Sequence, residues 1–449
     1  MTLAVELTPV PDPLDACARL SELPNLVFLD SSARGTLGRY SFLTADPIAL
    51  VGHTGDPLAA ARALLAPHHR APLPGLPPFQ GGIAGYVGYD WGAQQERVRR
   101  PTSARDVPDA GLGLYDWVIA WDHLQARAWI VAWGPQRLAW ARERLTVPTN
   151  APRAVTSLPP PSSLTSNFTR FEFEVAVRRI RDYIAAGDVY QVNLAQRFQS
   201  PCAGPSLDLY RRLRARSAAP FGAYLALGPV TIASISPERF VRLDARTRAA
   251  EARPIKGTRP RGTTPAEDAA LAQALTASEK DRAENVMIVD LLRNDLGKVC
   301  HPGSVRAPQL YALESHPTVH HLVSTVTGVL GDQADAFDLL RAAFPGGSVT
   351  GAPKIRAMEI IAELERAPRG VYCGAIGYVS ATGDMDLNIP IRTVVLHDGV
   401  ASFHAGAGIV WDSDPAAEYD ETLAKARPMM DALTQTNRDR AVTPSLARE

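Results

Sequence analysis

The sequence predicts an α+β fold, and three observations carry that reading. Short apolar runs separated by proline and glycine dominate the first third of the chain. Further on, strand-like segments follow one another at 222–228, 230–235, 238–244 and 249–255. Helical patterns come in separate groups instead of alternating with those strands, which disfavours an alternating parallel sheet. At 449 residues, 46% hydrophobic and 21% charged, the chain has an ordinary globular composition and length enough for large interleaved layers.

Four segments are expected. Residues 1–147 form a β-rich region with runs such as NLVFLD, GIAGYVGYD and AWIVAW. Residues 148–167 read as a linker rich in proline, serine and threonine. Residues 168–432 carry the sharpest patterns and the chemistry, and 433–449 form a polar tail. In the third segment, Thr169 and Glu172 have capping-box spacing, and Phe173, Val177, Ile180 and Ile184 follow at helical spacing. Then Tyr190, Val192, Leu194 and Phe198 alternate with Gln191, Asn193, Ala195 and Arg197, giving a strand with one apolar and one polar face. Thr264, Pro265 and Glu267 open a helix, and another spans about 280 to 296, ending at Gly297.

Several function classes drop out. Basic and acidic residues balance at 47 each, so no global field draws in nucleic acid or an anionic membrane. The start has no signal-peptide pattern and no run is long enough to span a bilayer. Cys17, Cys202, Cys300 and Cys373 are widely spaced and form no CxxC, as expected of reduced thiols in a cytoplasmic protein. Lysine is scarce: Lys256, Lys280, Lys298, Lys354 and Lys425 stand among 42 arginines. Codon bias explains most of this scarcity, but not which positions keep lysine.

Local chemistry concentrates in a few segments. Asp414 and Pro415 open a helix on which Glu418, Glu421 and Lys425 share a face. Two carboxylates side by side suit a hard cation such as Mg²⁺, or else form a solvated face with a Glu–Lys pair. On a second acidic helix Asp281, Glu284 and Ile288 share a face, mixing acids with an apolar residue. The segment AAFPGGSVTGAPK reads as a glycine-rich loop entering a helix near Thr350 to Pro353; it suits an anion, or is an ordinary helix start. Glu238, after Ser-Pro at a strand start, is a general acid if buried and an edge residue if not. His316, His320 and His321 do not form a zinc pattern, and one of them is better read as a hydrogen-bond donor. Lys256 is expected to end a strand and turn through Gly257. It is a surface turn lysine, or a nucleophile doing what arginine cannot.

Together these segments resemble the chorismate-utilising enzymes: anthranilate synthase component I, aminodeoxychorismate synthase component I, isochorismate synthase and salicylate synthase. The likeness rests on GDVYQVNL, SPERF, RPIKGTRPRG, EKDRAENVMIVDLLRNDLG, VHHLVSTVTG, PGGSVTGAPK, IPIRT and HAGAGIV…EYDETLAK, in that order across 168–432. LVFLDSS and GRYSFLTADP resemble the N-terminal region of the two aminating members. The resemblance implies a sandwich of two facing β-sheets with outer helices, the N-terminal region joining both. It implies Mg²⁺ on the ring carboxylate of chorismate, with Glu284 and Glu421 as direct ligands and Glu418, with Asp281 as a further candidate, acting through water. It makes Glu238 the general acid for the departing 4-hydroxyl and sets His321 near the ring. Arg392, Tyr378 and Lys425 fall on carboxylate-binding positions, and Gly257, Thr258, Thr350, Gly351, Gly406 and Gly408 on backbone or hydroxyl contacts.

Two positions separate the members. The water-using enzymes carry a lysine base where this chain has Gln191, so the resemblance implies amination. Anthranilate synthases typically read PIAGT where this chain reads PIKGT, so Lys256 implies the aminodeoxychorismate branch, serving p-aminobenzoate and folate synthesis. Lys256 would add at C2 before ammonia enters at C4. Ammonia would come from a separate glutaminase subunit. Anthranilate synthase component I and a non-catalytic chorismate-binding subunit are the alternatives. The feedback motif LLES is replaced by FLDSS, so a regulatory tryptophan site is not expected, though a structural pocket there stays open.

Overall fold

The computed structural model describes residues 1–52, 55–99, 101, 107–146, 164–202, 204–316 and 319–434. Most of the expected linker and nearly all of the expected tail lie outside these residues. The described chain forms two antiparallel sheets, one of twelve strands and one of ten. Residues before 147 extend both. Leu26–Asp30 pairs with Phe221–Leu227 in the first sheet, and Gly82–Val87 pairs with Ala375–Ser380 in the second.

The layers follow from the strand period. One core lies between the sheets, where Val27, Phe42 and Ile232 meet Tyr86, Ile376 and Tyr378. A second packs the outer face of the first sheet against helices, with Tyr210 and Met429 among its members. A third packs the second sheet against the helix Glu279–Gly297 through Ile288, Val289 and Leu292. Side chains alternating across each strand supply both faces, so a strand buried on both sides still reads as a strand.

Two strands position the site. Gln191–Pro201 pairs along its whole length with Val400–Ile409, setting Asn193 opposite Gly408, Ala195 opposite Gly406 and Arg197 opposite His404. Val192, Leu194, Ala407 and Ile409 pack outward on Phe173, Val177 and Ile180 of the helix Arg170–Ala185. That helix begins with the expected Thr169–Glu172 capping box. The polar face of the strand therefore turns inward and not to solvent, and Gln191 is fully buried.

Two local expectations are corrected. Lys256 does not end a strand; it lies inside the strand Ile255–Pro260, whose register against Val319–Val329 shifts between Ile255 and Thr258. Gly257 takes φ +86° there, so the glycine makes a bulge that re-aims its neighbours. The glycine-rich loop does not run straight into a helix either. Gly347–Val349 makes a short 3₁₀ turn, Gly351–Ala352 pairs with Gln191 and Val192, and the helix starts only at Lys354. Gly351 has φ +147°, and a Cβ there would lie 2.1 Å from the Gln191 carbonyl, so only glycine fits.

Candidate active site

The inward faces of these strands, the 346–353 loop and the starts of two acidic helices meet around Ser348. Its hydroxyl donates to Glu238 Oε1 at 2.7 Å, and its carbonyl accepts from Lys256 Nζ at 3.2 Å. Asn193 Nδ2 donates to the same carbonyl at 3.3 Å. One residue thus ties the expected acid to the expected nucleophile.

Glu238 is 5% exposed, just ahead of the strand Arg239–Asp244. Burial pushes its carboxyl up to about 6, against the Ser348 hydrogen bond and the charge of Lys256. A carboxyl held there exchanges a proton near neutral pH. Replacing Ser348 by alanine removes a bond that favours the charged form, so the acid limb of a pH–rate profile should move upward. An unmoved limb would separate Ser348 from the titration of Glu238.

Lys256 is partly buried, and burial lowers its ammonium below the ordinary lysine value. Glu284 and Glu238 pull the other way, while Lys425 assists the lowering. This supports a lysine that sheds its proton more readily than a surface one.

The acids on the two helices do not form a ready-made cage. Among the described residues no three His, Cys, Asp or Glu side chains gather as a metal-holding group. Glu284 is raised first by burial, and Asp281 and Glu421 repel its negative form. Glu421 is exposed and pairs with Lys425 at 2.7 Å. Lys425 also donates to the Gly406 carbonyl at 3.0 Å. Glu418 is buried, takes the Ser413 hydroxyl at 2.6 Å and is raised by that burial. Asp281 accepts from Arg259 at 2.9 Å. Glu284 and Glu421 lie near enough to repel each other, which a cation between them would relieve, and Mg²⁺ keeps most of its ligands as water and substrate oxygens. The residues fit that ion as a pair of ligands, once Lys425 releases Glu421.

Three groups in the site await polar partners. Both amide atoms of Gln191 are buried and unpaired, with its Nε2 set where a Cβ on Gly408 would fall. His321 Nδ1 is buried and unpaired, and burial, with His316 and Arg392 nearby, brings the ring down to about 3, so it is neutral. Arg392, at φ +50°, makes no side-chain hydrogen bond or ion pair with a described residue, and burial lowers it. A half-buried guanidinium with no side-chain partner among the described residues suits an anion such as a carboxylate.

Other expected contacts are distributed unevenly. Thr258 lies opposite His321 on the neighbouring strand and is exposed. Gly257 packs against Asp281, and Thr350 gives its hydroxyl to the Gly346 carbonyl, so both act first on the backbone. Tyr378 is not in the site. Its strand points it into the core between the sheets, stacked on Phe79 at 4.7 Å and edge-on to Phe42 at 5.3 Å. The tyrosine near the site is Tyr372, whose hydroxyl lies 3.1 Å from where a Cβ on Gly406 would be. Tyr378 instead lines a cavity of about 190 Å³ with Asp30, Ser31, Tyr40, Phe221 and Arg239, so the FLDSS segment does border a pocket. The remaining lysines are structural or peripheral. Lys354 and Lys298 both bind the buried Asp295, at 2.6 and 2.9 Å, and Lys280 lies near Glu284 and Glu418.

Two facing sheets, a buried acid tied to a lysine through Ser348, and a half-buried arginine have the make-up of an enzyme site. The chain belongs to the chorismate binding enzymes, whose family pattern matches residues 31–431. It is 43% identical over 439 residues to aminodeoxychorismate synthase component 1 of Salmonella typhimurium, covering 93% of this chain and 94% of that one. It is 42% identical over 448 residues to anthranilate synthase component 1 of Streptomyces coelicolor, covering 94% and 86%. Among solved structures, anthranilate synthase component I from Streptococcus pneumoniae superimposes with a TM-score of 0.79 at 32% identity, over 95% of this chain and 99% of that one. Among the described residues no helix is long and apolar enough to cross a membrane.

Proposed function

We propose that this chain converts chorismate and ammonia into 4-amino-4-deoxychorismate, the precursor of p-aminobenzoate in folate synthesis. Relatives named for this synthase and for anthranilate synthase are almost equally similar. The observation that carries the reading is therefore Lys256, joined through Ser348 to the buried acid Glu238.

Arg392 and neutral His321 orient the carboxylates and ring of chorismate. Glu238 protonates the 4-hydroxyl, which leaves as water while the neutral amine of Lys256 adds at C2 and the ring double bonds shift. The adduct nitrogen gives up a proton, restoring Glu238. Ammonia then adds at C4, the double bonds shift back, and Lys256 leaves as the neutral amine on taking a proton from Glu238, a proton that the new C4 ammonium gives back. The balance is chorismate plus ammonia giving aminodeoxychorismate plus water. With C2 occupied, ammonia cannot take the anthranilate route. Gln191 is neutral, so it does not activate water. Glu284 and Glu421, with Glu418 nearby, would hold Mg²⁺, which when bound would supply positive charge for the ring carboxylate. Ammonia is drawn from a separate glutaminase component, in keeping with relatives named as component 1 of their synthase.

The test is a product assay with chorismate, ammonium and Mg²⁺. The expected product yields p-aminobenzoate only after an aminodeoxychorismate lyase is added, and EDTA should bring turnover to background. Fluorescent anthranilate would favour the second reading, which the Streptomyces coelicolor relative supports. No product under any condition would leave a chorismate-binding subunit without catalysis.

A further inference from the structure

The strand Gln191–Pro201 has a gap along one edge beside the site. Its other edge pairs throughout with Val400–Ile409. On the gapped edge it pairs with Gly351–Ala352 at one end and with Thr165–Ser166 at the other. Between them, at Asn193 and Ala195, the backbone meets no strand, and buried backbone groups need partners. Asn193 N–H donates to the Thr350 carbonyl at 2.8 Å. One ion pair meets two more groups of this stretch. Glu365 Oε1 accepts from Ala195 N–H at 2.8 Å, and Arg369 Nη2 donates to the Asn193 carbonyl at 2.8 Å. A carboxylate and a guanidinium side by side supply the acceptor and the donor that a neighbouring strand would have offered.

The pair is built for fixed geometry. Arg369 and Glu365 are 3% and 4% exposed. They meet fork to fork, Nε on Oε2 at 2.9 Å and Nη2 on Oε1 at 2.7 Å. Nη1 of Arg369 donates to the Val349 carbonyl at 2.9 Å. The face of Tyr89 covers the guanidinium at 4.7 Å. Val349 follows Ser348 in the chain, and the Asn193 side chain donates to the Ser348 carbonyl at 3.3 Å. The guanidinium thus grips the backbone around Ser348 from two directions, and Ser348 is the residue that ties Glu238 to Lys256. A buried ion pair often adds little net stability over apolar residues of the same volume, so the contribution of this one is placement.

We propose that Arg369, aimed by Glu365, is a positioning residue for the reaction, fixing the Val349 and Asn193 carbonyls and through them the Ser348 bridge between Glu238 and Lys256. The inference rests on the acid role given to Glu238 above and names what holds that acid in register with the lysine.

The experiment compares pH–rate profiles, kcat and the KM for chorismate in the wild type and in Arg369→Lys. Lysine keeps the charge against Glu365 but cannot span the Val349 and Asn193 carbonyls as a fork does. The kcat should fall about 10–100-fold with KM little changed, the cost of a small misplacement of reacting groups. The acid limb should move upward as in Ser348→Ala, because the hydrogen bond that favours the charged form of Glu238 is loosened. In a Ser348→Ala background the lysine substitution should leave the limb where Ser348→Ala alone puts it. The double variant Glu365→Gln, Arg369→Met keeps the test open if Arg369→Lys folds poorly. It leaves no buried charge unpaired and keeps an acceptor for Ala195, and it should show the same loss and the same limb shift. A lower melting temperature with an unmoved limb would make the pair structural only and overturn the proposal. A limb that moves equally with and without Ser348 would overturn it too. A wild type with no limb near 6 would overturn the role of Glu238, and the positioning role with it, so the two failures are told apart.

Discussion

Replacing Lys256 by alanine should abolish a covalent chorismate adduct detectable by mass spectrometry and slow aminodeoxychorismate formation by on the order of 100-fold or more, as loss of a nucleophile does. The effect is large because no neighbour can stand in. Lys425, the nearest other lysine by charge, is held by Glu421 and the Gly406 carbonyl. Arg253 and Arg259 lie close in sequence but stay charged and engaged, Arg253 with Glu314 and Arg259 with Asp281. The alanine variant also frees C2. Any residual turnover should therefore contain anthranilate, the product of amination at the position that lysine blocks. Lys256→Arg should form no adduct and should not open that route, because the guanidinium fills the space without attacking. Aminodeoxychorismate formed by Lys256→Ala at the wild-type rate would exclude covalent catalysis.

The features of Lys256 that were legible in the sequence were local ones. A lysine inside an arginine-dominated chain, beside a glycine, invites a chemical reading; so does a glutamate after Ser-Pro. Helix starts were legible for the same reason, since Thr169, Thr264 and Asp414 each accept from backbone donors a few residues on. The strand alternation around Gln191 was legible, but not that its polar face would turn inward, because that depends on which sheet covers it. Long-range closeness left no mark. Ser348 looked like one more residue of a glycine-rich loop, yet it bonds Glu238 110 residues away and Lys256 92 away. Tyr372 and Tyr378 are six apart in one apolar run, and only the strand that begins at Ala375 decides that Tyr378 goes to the core. The bulge at Gly257 was hidden likewise, since a glycine signals a turn and a bulge equally well.

Glu238→Gln carries the other large effect. Glutamine still accepts the Ser348 hydroxyl, so the geometry survives while the transferable proton is lost. Turnover should fall by on the order of 10²–10⁴-fold, with the KM for chorismate little changed. The pH profile separates this from simple damage. The reactive form carries one proton between Glu238 and Lys256, so wild-type activity should be bell-shaped. Its acid limb lies near 6, the value to which burial raises Glu238, and its alkaline limb lies below the ordinary lysine value. In the glutamine variant the limb near 6 should vanish. Stability gives an independent reading with a definite sign. The folded carboxyl sits at about 6, above its ordinary 4.5, so folding disfavours its charged form. Wild-type stability from this group falls as pH rises from about 4.5 through 6, by about 2 kcal/mol in all. Glutamine escapes that cost, so relative to the wild type the variant should be more stable at pH 8 than at pH 4. An inactive variant with the higher melting temperature at pH 8 would tie the lost rate to the missing proton. An active one would assign protonation of the leaving hydroxyl to another group, and neutral His321, already near 3, could not supply it.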